Sequence, residues 1–353
     1  MNNHIAMRIA YIVPSLGPLG PVIVVRNLVE RMVAHGHECV VFYFDEREDA
    51  MAFACETRRI SFWRRKDWAD YDWVHAHSFR PMVYAAKLRD VRKMTTMHSY
   101  LFMEYRYSLG RVLGYLLGRF TMLAANRFDK VVTLSQDARE YYSRWIPKEK
   151  LRVCYNGVRI DMPVSPSRQE QYNRDAETVG SFKGASVLVA TICELVPIKN
   201  LETMVRALSL LPGQYRLLLI GSGASRSRLE RMAADMALTS RVLFLGERVE
   251  AHRYLSLADV YAMTSLSEGF CLSLVGAAMH GKRIVCADIP GMREKFTADE
   301  VTYFQPDSPQ GLANAIMSAL AHEEKALKAK ALAEDRFSSE RMYMAYEKEY
   351  ADV

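Results

Sequence analysis

Thr264 to Pro290 reads T-S-L-S-E-G-F-C-L-S-L-V-G-A-A-M-H-G-K-R-I-V-C-A-D-I-P. A short apolar run, Val260 to Met263, stops just before it. Ser267-Glu268-Gly269-Phe270 has the composition of a turn, an apolar helix starts near Cys271, and Arg283 to Ala287 is a second short apolar run. Strand, turn, helix and strand in that order make a βαβ unit, whose two strands must lie parallel. Such a helix directs its free N–H groups and the positive end of its dipole outward from the carboxyl end of the sheet, a generic site for phosphate or an oxyanion. A Ser-Glu pair at a helix start is also the composition of a cap, so the residues leave both readings open.

The alternation extends outward in both directions. Upstream of the quoted stretch, Ala185–Ile192, Arg216–Ile220 and Val242–Leu245 read as strands, with helices Leu201–Leu210 and Arg226–Met236 between them. Downstream, Thr302–Phe304 is a strand and Gln310–Leu332 one long helix. The first half repeats the scheme. Strands are expected at Met7–Val13, Cys39–Phe44, Trp73–Ala76, Lys93–Met97, Lys130–Leu134 and Leu151–Tyr155, and Val22–His35 is a helix ended by Gly36. The polar stretch Asp161 to Gly184 separates the halves. The expected organisation is a first α/β domain over 1–165, a linker over 166–184, a second α/β domain over 185–335, and a C-terminal helix over 336–353. Met342, Met344, Tyr346 and Tyr350 suit that helix either for packing back on the first domain or for a frayed end. Two doubly wound Rossmann-like domains facing a cleft would bind ligands beyond the carboxyl ends of their strands.

Composition agrees with an ordinary two-domain globular chain. It has 353 residues, half apolar and a quarter charged. The net charge of +6 is uneven: residues 1–161 carry 25 Lys and Arg against 17 Asp and Glu, the remainder 22 against 24. The first half is therefore the one suited to an anionic surface or substrate. Met1 to Met7 is polar and lacks the apolar stretch of a secretory signal. No window reaches about 18 apolar residues; the nearest, Val112 to Ala125, is interrupted by Arg119. Cys39, Cys55, Cys154, Cys193, Cys271 and Cys286 are scattered without a C-x-x-C pair, as reduced thiols of a cytoplasmic protein would be.

Other strand ends carry weaker signals. Ile220-Gly221-Ser222-Gly223 lets backbone approach a ligand, but the third glycine of a dinucleotide fingerprint would fall at Arg226. Gly17 and Gly20, in a Pro/Gly loop, either approach a ligand or only turn the chain. His75, His77 and His98 lie where strands end, with no cysteine or carboxylate at zinc-ligand spacing. There is no G-x-S-x-G elbow, no P-loop and no nucleic-acid-binding module.

In order and spacing, these pieces resemble the group 1 family of retaining glycosyltransferases with the B-type fold. The resemblance runs through Val74-His75-Ala76-His77, Thr96-Met97-His98, Ser135, Leu151-Arg152-Val153 and Asn156-Gly157-Val158. It continues in Leu195-Val196-Pro197-Ile198-Lys199-Asn200, Leu219 to Gly223, Phe244-Leu245-Gly246, Ser267-Glu268-Gly269-Phe270 and Gly281-Lys282. It implies a nucleotide-sugar donor on the second domain and a glycan or lipid-linked acceptor on the first. It implies that Lys199 meets the donor diphosphate, Glu268 holds a hydroxyl of the transferred sugar, and His98 stands near that sugar. Gly17, Gly20, Gly221, Gly223, Gly246, Ser267, Gly269, Phe270, Cys271 and Leu272 would line the donor. It implies no metal and no cofactor, because Lys, Arg and a helix dipole neutralise the leaving group. Cell-surface polysaccharide or glycolipid assembly is the family's common use. A sugar-nucleotide epimerase of similar fold fits the motif order poorly.

Two positions depart from the family's pattern. Its G-R-L-x-x-x-K is here Cys193-Glu194-Leu195-Val196-Pro197-Ile198-Lys199, which puts Glu194 where an arginine would face the diphosphate. Its second glutamate, eight positions after Glu268, is Gly276. Unless Glu194 turns away or pairs with Arg226 or Lys199, repulsion in place of attraction would cost more than about 4 kcal/mol at 4 Å and an effective dielectric near 20. The alternative function is thus a catalytically silent relative that binds a ligand or a partner.

Tyr100 to Lys130 interleaves Tyr105, Tyr107, Tyr115 and Phe120 with Arg106, Arg111, Arg119, Arg127 and Lys130, and adds Leu113, Leu116, Leu117, Met122 and Leu123. Its composition, with the run Arg64-Arg65-Lys66 between Trp63 and Trp68, suits either an anionic membrane surface or a core helix with a solvated basic face. Resemblance to transferases that use lipid-linked acceptors favours the membrane, so the expected location is cytoplasmic with peripheral contact to the membrane's inner face.

Overall fold

A computed structural model describes residues 6–63, 66–161 and 164–352. Met1 to Ile5 and two members of the basic run, Arg64 and Arg65, lie outside the described residues. The chain divides into two compact units, 1–158 with 337–353, and 159–336.

The first unit holds a parallel sheet of β1 (Arg8–Ser15), β2 (Glu38–Asp45), β3 (Glu56–Arg59), β4 (Trp73–His77), β5 (Arg92–Met97), β6 (Lys130–Thr133) and β7 (Leu151–Val153), in the order β3-β2-β1-β4-β5-β6-β7. Helices α1 (Gly20–Ala34), α2 (Phe79–Ala85), α3 (Leu101–Leu109), α4 (Arg111–Ala125) and α5 (Gln136–Tyr142) connect the strands. The middle strands are nearly all buried, which is why they read as continuous apolar runs instead of alternating. β3, Glu-Thr-Arg-Arg, is fully exposed at the edge, so no apolar pattern announced it. Gly20 opens α1 rather than lying in the preceding loop, because Pro21 is tolerated in a first turn where its missing N–H has no helical partner anyway.

In the second unit α6 (Pro166–Lys183) leads into a parallel sheet of β8 (Val187–Ile192), β9 (Tyr215–Ile220), β10 (Val242–Gly246), β11 (Val260–Met263), β12 (Arg283–Ala287) and β13 (Thr302–Phe304). Its order is β10-β9-β8-β11-β12-β13. Helices α7 (Leu201–Leu210), α8 (Arg226–Asp235), α9 (Leu272–Met279), α10 (Pro309–Leu320) and α11 (Glu323–Arg336) complete it. Both sheets reverse direction once, the first between β1 and β4, the second between β8 and β11. Both units are therefore Rossmann-like.

Two expectations need correction here. The stretch 166–184 is not a linker but the 18-residue helix α6, within the second unit. Val179 is buried, Tyr172 and Phe182 pack beside it on the core, and polar contacts add to them: Arg248 forks onto Asp175 at 2.7 and 3.0 Å, Tyr254 donates to Asp175 at 2.7 Å, and Lys183 meets Asp259 at 2.7 Å. Its apolar stripe is only Tyr172, Val179 and Phe182 in an otherwise polar helix, which is why the composition reads as a linker. The single helix expected over 310–332 is α10 and α11, broken at Ala321-His322, with α10 packed on α7 and α11 on α9.

The C-terminal helix α12 (Ser339–Ala351) belongs to the first unit. Arg31 of α1 donates to Ser339 at 3.0 Å, and the Trp73 indole donates to the Tyr350 carbonyl at 3.1 Å. Its entry is set by Gly157, where a Cβ would stand 2.4 Å from the Ser338 carbonyl oxygen. The Asn156-Gly157-Val158 motif is thus a close-packing device in this chain.

Candidate active site

Two loops at the carboxyl end of the second sheet meet at its switch point. After β8 the chain makes one tight turn, Pro197–Lys199, and Asn200 takes a left-handed conformation before α7. After β11 it runs through Thr264 to Cys271 into α9. Backbone and side chain zip the two together: Leu266 N–H donates to the Ile198 carbonyl at 2.9 Å, and Thr264 Oγ1 to the Lys199 carbonyl at 2.8 Å.

That junction brings Lys199 onto Glu268. Lys199 Nζ lies 2.6 Å from Glu268 Oε1, and Ser265 Oγ donates to the same oxygen at 2.6 Å. The side chains are 21% and 12% exposed. Burial alone would lower the Lys199 pKa, but the Glu268 charge and hydrogen bond outweigh it and hold the ammonium above its ordinary value. Lys199 keeps two further N–H donors, and Glu268 Oε2 has no protein hydrogen bond among the described residues. The pair can therefore take an anion and a hydroxyl at once.

Other candidates line the same strand ends. Ser267, Gly269 and Phe270 are buried, and the Phe270 ring packs under the Lys295 ammonium, so its side chain belongs to the core. Cys271 caps α9 with φ at 63°, a strained backbone for a residue with a Cβ and of the kind that collects at functional sites. Burial pushes its thiol up to about 11. Leu272 is the first residue of α9. Gly221 and Gly223, at φ 142° and 152°, leave no room for a side chain: a Cβ would lie 1.9 Å from the Cys193 carbonyl oxygen and 2.5 Å from that of Leu195. Their bare faces are taken up by the loop that leads to Lys199. Gly246, at φ 84°, lies beside the Arg248 and Arg226 guanidiniums.

The two departures also find their places. Glu194 is exposed, with no ion pair among the described residues. The suggested partners are engaged elsewhere, Lys199 with Glu268 and Arg226 with Glu230 at 2.8 Å. A charge in water costs a neighbouring anion about 1 kcal/mol at 4 Å, against about 4 at the lower dielectric, so exposure removes most of the expected penalty. A Cβ at Gly276 would meet His252 and Leu255 at 3.6 and 3.7 Å, ordinary contact distances.

In the first unit, His75 and His77 lie on β4 and His98 directly follows β5. His75 and His77 are fully buried, and His98 is partly exposed. Burial lowers all three, His98 to about 3, so each is neutral. Gly17 lies under the Arg47 side chain, whereas a Cβ at Gly20 would meet only open space.

The stretch 100–130 is not a core helix. α4 packs against α3 with its small residues: a Cβ on Gly114 would strike the Tyr105 carbonyl, and one on Gly118 the Phe102 ring. Its large apolar residues face outward, with Val112 76%, Leu123 65% and Leu116 58% exposed. Phe102, Arg106, Arg111, Val112, Tyr115 and Leu116 line an open groove between α3 and α4. Three members of the expected surface are inside: Tyr105 and Met122 are buried, and Lys130 is buried against α12, donating to the Asp352 carbonyl at 2.8 Å. Among the described residues no helix is long and apolar enough to cross a membrane.

Residues 177–336 match the family model for glycosyl transferases group 1, and residues 56–162 match that for glycosyltransferase family 4. The chain is 27% identical to the O-antigen biosynthesis glycosyltransferase WclY of Escherichia coli, over 98% of this chain and 99% of that one. In fold it is similar to Anabaena HepE, solved with UDP and glucose, at a TM-score of 0.81 and 19% identity, covering 98% of this chain and 100% of the other. It is similar also to WaaG, a glycosyltransferase involved in lipopolysaccharide biosynthesis, at 0.72 and 15%, covering 97% and 98%. Two Rossmann-like units, the paired Lys199 and Glu268 at a switch point, and these matches along the chain lead to one assignment: the chain is a glycosyltransferase, and its residues 177–336 are of the group 1 family.

Proposed function

We propose that this transferase moves a sugar from a nucleotide-sugar to a glycan or lipid-linked acceptor, with retention of anomeric configuration, in cell-surface polysaccharide synthesis of the O-antigen or lipopolysaccharide kind. The observation that carries the reading is the Lys199–Glu268 pair at the switch point of the second sheet. Support for the donor class comes from HepE, whose fold this chain shares and which was solved with UDP and glucose. The name of WclY supports the acceptor class.

In this reading Lys199 and the N-terminal amides of α9 neutralise the diphosphate, with neither metal nor cofactor. Glu268 accepts a hydrogen bond from a sugar hydroxyl through Oε2. The bond from the anomeric carbon to the phosphate oxygen breaks while the acceptor oxygen bonds to that carbon on the same face. The acceptor proton passes to the departing phosphate. Gly17, Gly20 and Gly246 are backbone approaches to the donor, and His98 faces the transferred sugar. The silent-relative reading has no support: the family is one of transferases, and Glu194 is exposed instead of standing against Lys199.

Calorimetric titration with UDP-, GDP-, ADP- and TDP-sugars tests the donor. One of them is expected to bind at micromolar Kd, and Lys199→Ala and Glu268→Ala to abolish that binding. Glu194→Arg is expected to tighten it about tenfold, the effect of one added charge contact. Absence of binding to every donor by folded protein would defeat the reading.

The outward apolar face of α4, flanked by Arg106, Arg111 and Arg119, is the proposed contact with the anionic inner face of the cytoplasmic membrane. Sedimentation with phosphatidylglycerol-containing vesicles is expected to show binding that weakens with salt. Val112→Asp with Leu116→Asp should reduce it at least tenfold. Equal sedimentation with and without vesicles would remove the membrane from the scheme.

A further inference from the structure

His77 is the buried partner of His98. The two sit at the ends of adjacent parallel strands, where His77 pairs in register with Thr96. His77 Nδ1 lies 2.9 Å from His98 Nε2. His77 is fully buried, and its Nε2 has no hydrogen-bond partner among the described residues. The neighbouring His75 cannot serve it. Its Nδ1 is 2.5 Å from the Tyr350 hydroxyl and its Nε2 is 2.9 Å from Thr96 Oγ1. Tyr350 and Tyr346 close that layer from α12, with Tyr346 Oη 3.0 Å from Thr96 Oγ1 and Tyr350 Oη 3.3 Å from Tyr11 Oη.

With both imidazoles neutral, the 2.9 Å contact holds one proton, and it fixes both tautomers. If His98 donated, His77 would carry its proton on Nε2, a buried N–H with no acceptor. If His77 donates, the buried orphan is a bare nitrogen. Orphaned buried N–H groups are the rarer of the two defects in folded proteins. His98 then accepts at Nε2 and carries its own proton on Nδ1.

We infer that His77 is a positioning residue that donates from Nδ1 to His98 Nε2, and so presents the His98 Nδ1–H as a hydrogen-bond donor to an oxygen of the transferred sugar or its phosphate. His98 is then no proton acceptor toward the substrate. The inference rests on the reading that His98 faces the sugar.

Long-range proton–nitrogen spectra of the ¹⁵N-labelled protein test it directly. The expected result is a protonated Nδ1 and a bare Nε2 for both His77 and His98. His77→Leu should turn the His98 signals into a mixture of tautomers and lower kcat about tenfold, with the donor KM within twofold. His77→Asn, which keeps a short amide donor, should restore the His98 pattern and most of the turnover. A proton on His98 Nε2 in the unmodified protein would overturn the inference, as would a His98 spectrum unmoved by His77→Leu. If His77→Leu does not fold, the parent spectrum and His77→Asn still decide. Full activity of His98→Ala would refute the role of His98 at the sugar while leaving the tautomer result intact.

Discussion

Lys199→Ala is expected to lower kcat/KM by about a hundred- to a thousandfold. The substitution removes the cation proposed for the diphosphate and leaves Glu268 with Ser265 as its remaining donor. Losing one preorganised donor to the charge that develops on the leaving group costs about 2.7–4 kcal/mol of transition-state stabilisation. At about 1.4 kcal/mol per tenfold, the rate loss follows. Glu268→Gln should lose a similar factor, and the double substitution less than the product of the two, because neighbours in one network are not additive. Steady-state kinetics of the four proteins, beside their melting curves, measure this. Activity of Lys199→Ala within tenfold of the parent would move the donor site away from this switch point.

Gly221→Ala is expected to destabilise the second unit by about 4 kcal/mol or more, at the top of the range for single substitutions. The new Cβ would lie 1.9 Å from the Cys193 carbonyl oxygen, on a backbone whose φ of 142° already disfavours it. For a unit of this size, about 2–4 °C of Tm per kcal/mol predicts a drop of roughly 8–16 °C. Relief would come from moving the Cys193–Leu195 loop, which also carries the chain toward Lys199, so donor affinity should fall with stability. Gly213→Ala is the control, because a Cβ there meets nothing within 4 Å. Equal melting of the two variants would show that the loops are not in close approach.

The parts of the protein that could be read in advance share a cause. Central strands of a parallel sheet are covered on both faces, so Ile9 to Val13 or Leu217 to Ile220 must be apolar wherever they occur. The turn into α9 was legible because the Ser-Glu-Gly-Phe run interrupts an apolar pattern at a strand end. The parts that could not be read owe less to burial. β3 is an exposed edge held by backbone pairing, and α6 is mostly polar, its few apolar contacts joined by pairs from Asp175 and Lys183 to residues more than seventy positions away.

α4 shows the limit most directly. Its leucines look like a core stripe, yet Gly114 and Gly118 make the opposite face the one that can approach α3 closely. Composition says only that both kinds of residue are present.

By itself, then, the amino-acid order determined the alternation of strands and helices, the Rossmann-like class of both units and the residue types at the strand ends, because periodicity and turn chemistry are local. Tertiary structure alone decided that Lys199 and Glu268 share one proton-bearing contact, that Glu194 stays in water, and that His77 stands behind His98. Those outcomes depend on which strands lie side by side, and neighbours 69 positions apart in the chain meet at 2.6 Å only after the sheet has formed.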